Sequence, residues 1–116
     1  MALTRETATT LRTVIQTMIE DDRVPMMSAG IAGIVAFNVI LILSKFDQRY
    51  VLSYDGDGDG YYLNLEVEGG GRFGVPVGNA WVPVLDRAYL TYREIKQEKF
   101  REAVAAKKMR DALGAV

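Results

Sequence analysis

The residues best suited to chemistry in this chain form a short acidic repeat in which aspartates alternate with glycines. Asp55, Asp57 and Asp59 are each followed by a glycine, and Glu66 lies further along the chain. Calcium binds several hard oxygen ligands, which carboxylates and backbone carbonyls supply. The three aspartates, the backbone carbonyl of Tyr61 and a bidentate Glu66 therefore form a candidate calcium site.

The spacing of these five residues resembles the calcium-binding loop of EF-hand proteins over the length of that loop. The resemblance implies calcium as a cofactor. The surroundings differ, because an EF-hand loop joins two helices and both flanks here have strand patterns. Leu63 also stands where the family has a side-chain oxygen or a water. The alternative interpretation is an acidic hairpin tip, since Asp-Gly is favoured turn chemistry.

The composition argues against several other kinds of site. The 116 residues include no cysteine and no histidine, and the net charge is -1. The usual ligands of structural zinc, haem and iron–sulfur sites are therefore absent. The commonest general base in catalysis, histidine, is absent too. The chain also lacks the excess positive charge that nucleic-acid binding requires. We predict a protein that is not an enzyme and has no nucleic-acid partner.

A long uncharged run sets the predicted fold class. No charged residue occurs from 24 to 44, and about 20 apolar residues suffice for a helix to cross a bilayer. We predict a single-pass membrane protein with its transmembrane helix at 24–44. The short leader favours an N-terminus on the inner side. The rival interpretations are a cleaved signal peptide and a buried helix. The first is disfavoured because the run starts late and no A-x-A-like site follows it. The second is disfavoured because a buried helix would need a shell of helices that the sequence does not encode.

Small residues on the predicted span point to helix packing. Ala29, Gly33 and Ala36 share a face, and small side chains let helix backbones approach closely. Asn38 points roughly the opposite way and needs a polar partner. We predict lateral packing through these positions against other subunits or a second copy.

Three further segments flank the span. Residues 1–23 predict an amphipathic leader helix from their apolar spacing. Residues 45–85 alternate and predict a small antiparallel β meander, whose last segments are edge strands or extended loop because they contain Pro76 and Pro83. Residues 86–116 predict a long C-terminal helix of about 40 Å. Its distal half should project from so small a sheet, or contact another chain.

Together these features favour a non-catalytic, membrane-anchored structural or assembly subunit of a larger complex. The secretion, conjugation, virion-membrane and energy-converting complexes contain subunits of this plan. The sheet is near the lower limit of independent stability, which favours partners bound through the transmembrane and C-terminal helices. The alternative function is a membrane-tethered calcium-binding module centred on the acidic repeat.

Overall fold

The computed structural model describes residues 2–56 and 60–114, and for Arg72 the backbone alone. Four helices and three strands follow one another along the chain. They are α1 (Arg5–Ile19), α2 (Arg23–Met27), α3 (Ala29–Lys45), β1 (Leu52–Asp55), β2 (Gly60–Glu66), β3 (Arg72–Val77) and α4 (Val82–Gly114).

The three strands form an antiparallel sheet in the order β1-β2-β3. Leu63 of β2 lies opposite Val75 of β3. The N-terminal segment extends this sheet, because the Leu3 N–H donates to the Glu66 carbonyl at 2.8 Å and the Leu3 carbonyl accepts from the Glu68 N–H at 2.8 Å. The N-terminal segment is thereby fixed to the central strand and the residues just after it.

A single hydrophobic cluster joins α1, α3, the sheet and the first part of α4. Helix α1 starts at a side-chain cap, where the Thr4 hydroxyl accepts from the Thr7 N–H at 3.2 Å. Trp81 is completely buried, and its indole N–H donates to the Asp21 carbonyl at 3.2 Å. Other buried residues of the cluster belong to the helices and strands: Leu11, Ile15, Ile19, Val39, Leu43, Leu63, Val75 and Leu85.

The prediction of a transmembrane helix at 24–44 is wrong. Ser28 has an extended backbone with φ -146° and ψ 93°, so the run divides into the short α2 and the 17-residue α3. Within residues 2–56 and 60–114, no helix has both the length and the apolar character needed to cross a membrane. The predicted single-pass fold class is therefore wrong. The predicted membrane localisation with an inner N-terminus is wrong for the same reason.

Packing within the chain explains why one side of α3 carries no charge. One side of α3 is buried in the cluster, including Ala32, Ala36 and Val39. Helix α3 lies against both α1 and α4. The covered side of a helix needs apolar residues whatever surrounds the protein, whereas the apolar side chains of Ile31, Ile34 and Leu41 are exposed.

Helix α4 begins four residues earlier than predicted and includes a segment expected to be extended. Pro83 lies in its first turn, where the missing backbone N–H costs nothing. Leu85 and Ala88 are buried, whereas every residue from 93 to 114 is exposed. Residues 93–114 therefore project from the body as predicted for the distal half, and we refer to them as the overhang.

Candidate protein-interaction surface

An open groove runs between α3 and the first part of α4. Its volume is about 760 Å³, and small residues form its floor: Ala29, Gly30, Gly33 and Ala88. Ile34 and Val84 stand beside them. The short side chains leave the space between the two helices unfilled along this side. The result is an apolar trough, which we refer to as the α3–α4 groove.

Two glycines leave space in the groove, although the packing of the chain itself does not require a glycine at either position. A Cβ built on Gly30 or Gly33 would meet no heavy atom within 4 Å, and neither residue has a positive φ. Glycine in a helix interior costs roughly 1 kcal/mol relative to alanine. The chain therefore carries an energetic cost at both positions that its own fold does not explain.

Exposed apolar side chains continue the groove surface onto α2. Ile34 is 66% exposed, and Met26 and Met27 are 80% and 82% exposed. Ile31 is exposed as well. Contiguous apolar surface of this kind marks interaction sites in soluble domains more often than isolated exposed residues do. The groove and these exposed residues of α2 and α3 together offer apolar accessible surface for a partner.

One charged side chain lies on the groove wall. Arg87 is exposed and lines the groove together with Asn38 and Thr91. No carboxylate among the described residues forms an ion pair with Arg87; the recorded ion pair joins Arg23 to Asp21 at 3.1 Å. A groove with apolar walls and one unpaired cation favours an occupant that combines apolar and acidic side chains.

The overhang has two different faces. Met109 is 67% exposed and Phe100 is 71% exposed. They lie about 180° apart, because each residue of a helix turns about 100°. Glu98 and Glu102 share the side of Met109, whereas Lys107 shares the side of Phe100. The overhang therefore presents an acidic and apolar face that is distinct from a basic one.

A cluster of tyrosines holds α4 beside α3. The Tyr92 hydroxyl lies 2.5 Å from the Ser44 hydroxyl oxygen, and the Tyr50 ring lies 4.9 Å from the Tyr89 ring. The Tyr50 hydroxyl donates to Asp86. Burial, and then the hydrogen bond to Asp86, raises the pKa of Tyr50 well above its ordinary value. These contacts fix the separation of the two helices, and with it the width of the groove.

The structure divides the four predicted helix-packing residues between two environments. Ala29, Gly33 and Asn38 line the groove, whereas Ala36 is completely buried in the core. Asn38 lies about 140° from Gly33 around the helix at 100° per residue, and both border the same wide groove. Packing of a partner against Ala29 and Gly33 stays a prediction, and its location is now a groove on a folded body.

The predicted calcium ligands are spread along a hairpin. Asp55 pairs with Gly60 at the tip, whereas Glu66 lies at the other end of β2, about 20 Å away at ~3.3 Å per residue. Tyr61 follows Gly60, and the predicted ligands 57 and 59 fall outside the described residues. The strand thus separates Asp55 from Glu66. In the described part of the chain, no three acidic side chains cluster in a way that could hold a metal.

Sequence reasoning missed Arg87, Ile34 and the tyrosine cluster. The recurrence of Gly30, Ile34 and Asn38 every four residues was the available signal, because it places them on one helix face. Comparison of the chain with protein-family models, curated proteins and solved structures finds no significant match. The functional conclusion therefore depends on the geometry of the groove and the overhang.

Proposed function

We propose that this protein is a non-catalytic assembly subunit that binds another polypeptide through the α3–α4 groove and the overhang. The overhang is the observation that carries the proposal. Every residue from 93 to 114 is exposed, yet the segment is helical. Helices in proteins gain most of their stability from packing an apolar face. The exposed Met109 and Leu113 supply apolar side chains for such packing with a partner.

The chemistry of the groove supports a binding role over catalysis. Arg87 is the one ionisable side chain among the residues that line it. A guanidinium stays protonated in proteins and does not act as a general base. Small and apolar side chains make up most of the remaining lining. Such a surface suits shape-dependent packing of a helix.

Photo-crosslinking tests this proposal directly. A photoreactive amino acid at Ile34 or Met109 of the full chain should form adducts with another polypeptide in the cells that produce the protein. The control is the same amino acid at Tyr54, which is 65% exposed on β1. Adducts are measured on denaturing gels and identified by mass spectrometry. The same adduct yield at all three positions, or none at Ile34 and Met109, would contradict the proposal.

A further inference from the structure

The shape and charge of the groove restrict which helix can bind in it. Contact between Phe37 and Tyr92 places Asn38 and Thr91 at one end, so the other end lies at Pro25. Arg87 is the charge between these ends. An occupying helix must therefore present an acidic residue near Arg87 and apolar residues toward Pro25.

The overhang of this same chain has acidic and apolar residues in the required order. Glu98, Glu102, Ala105 and Met109 follow one another at steps of three or four residues, and therefore lie on one helix face. The acidic pair comes first and the apolar pair follows. Glu98 and Met109 are about 16 Å apart along the helix axis at 1.5 Å per residue. Residues 29–38 of α3, which flank the groove, extend about 14 Å on the same basis.

The spacing on the two sides matches in a single antiparallel register. The groove residues Val84, Arg87 and Thr91 are separated by three and then four residues. The overhang residues Glu98, Glu102 and Ala105 are separated by four and then three, which is the reverse order. Two antiparallel α4 helices consequently bring Arg87 beside Glu102, Thr91 beside Glu98 and Val84 beside Ala105.

From this match we infer that the α3–α4 groove binds the overhang of a second copy of the chain. The two α4 helices lie antiparallel, each overhang fills the other copy's groove, and the assembly closes as a two-fold dimer. Arg87 of each copy pairs with Glu102 of the other. The inference rests on the proposed function and names its partner.

The distribution of charge favours the same partner. Residues 1–92 carry seven basic and eleven acidic side chains, whereas residues 93–116 carry seven basic and four acidic ones. The body is therefore net negative and the overhang net positive. Opposite net charges accelerate the association of two copies, whereas the pairing of Glu102 with Arg87 sets the orientation of the overhang in the groove.

Charge reversal of the Arg87–Glu102 pair is the decisive experiment. Sedimentation velocity of the full chain should show a dimer. Arg87→Glu and Glu102→Arg should each raise the dimer dissociation constant by at least about tenfold, because each places like charges together. The double variant should recover most of the loss, since the pair is rebuilt in reverse. Failure of the double variant to recover dimerisation, with both single variants impaired, would overturn the inference.

Two exposed apolar residues provide a matched control. Met109→Glu should yield monomer, whereas Phe100→Glu should leave the dimer intact, because Phe100 lies on the opposite face of the overhang. Gly33→Leu should also yield monomer, since the new side chain occupies the groove without meeting the chain itself. Fluorescence of the buried Trp81 verifies that each variant is folded. Equal loss with Phe100→Glu and Met109→Glu would overturn the assigned face.

The same measurements separate this inference from the proposed function. A monomeric wild type whose Ile34 crosslinks to a different polypeptide would overturn the second copy as partner and leave the proposed function standing. A monomeric wild type without crosslinks at Ile34 or Met109 would overturn both. Dimerisation with crosslinks between Ile34 of one copy and the overhang of the other supports both.

Discussion

The Tyr50 hydroxyl donates a 2.6 Å hydrogen bond to Oδ1 of Asp86, which joins the segment after α3 to the start of α4. Asp86 lies one residue before Arg87 of the groove wall. The hydrogen bond therefore constrains the position of the groove cation as well as the helix. Tyr50 is partly buried whereas Asp86 is exposed, so the hydrogen bond lies at the edge of the core.

Replacement of Tyr50 by phenylalanine should lower the free energy of unfolding by about 1 kcal/mol at neutral pH, because Asp86 loses a donor. Urea unfolding followed by Trp81 fluorescence measures the change. Tyr54→Phe is the control, because that residue is 65% exposed, and its effect should stay within about 0.5 kcal/mol. Equal effects of the two changes would argue against a stabilising role for the Tyr50–Asp86 contact.

The same tyrosine should make stability fall at alkaline pH. Burial, followed by the hydrogen bond to Asp86, raises the pKa of Tyr50 in the folded protein. The unfolded chain releases this proton near about pH 10, whereas the folded chain retains it. The contribution of Tyr50 is therefore complete below about pH 10 and is lost as the pH rises further. Urea unfolding between pH 9 and 11 should show a steeper loss for wild type than for Tyr50→Phe; parallel curves would contradict the assignment.

Gln48 should be important for the attachment of the sheet to α3. It is only 7% exposed, its Oε1 accepts from the Glu66 N–H at 2.7 Å, and its Nε2 donates to the Phe46 carbonyl at 3.3 Å. Gln48→Leu should cost about 1–3 kcal/mol, because the Glu66 N–H is left without this acceptor. The exposed Gln97 provides a control, since Gln97→Leu should change the midpoint of thermal unfolding little.

Local patterns predicted the parts of the fold that depend on a few neighbouring residues. Leu11, Ile15 and Ile19 repeat at helical spacing, and they form the buried side of α1. The turn at 69–71 uses three glycines with φ of 83°, 75° and 99°, which other residues rarely adopt. Each of these signals lies within one segment of the sequence.

The errors arise where the outcome depends on distant residues. Hydropathy measures how apolar 24–44 is, but it does not distinguish lipid from a protein core as the surroundings. The groove likewise forms because Gly33 of α3 and Ala88 of α4 line the same space. No local sequence pattern specifies that these two residues come together. The prediction of an edge strand or extended loop at Pro83 is wrong, because Pro83 lies in the first turn of α4, two residues after the buried Trp81.

The acidic hairpin should respond little to calcium. Because β2 separates Asp55 from Glu66, millimolar calcium should leave the thermal midpoint of the full chain unchanged relative to chelator. Changing both Asp57 and Asp59 to asparagine should be neutral or mildly stabilising, since like charges close together repel. A rise in midpoint with calcium that this double variant abolishes would instead support the calcium-binding alternative.

The position of Trp81 in the chain has a consequence for protein synthesis. Helix α3 ends at Lys45, and its covering residues in α4 are translated only after Trp81. At roughly 5–20 residues per second, the interval lasts a few seconds. During that time α1 is already synthesised and available to pack on α3, whereas the side of α3 that contacts α4 has no partner yet. Completion of the packing around α3 therefore requires translation through 46–81.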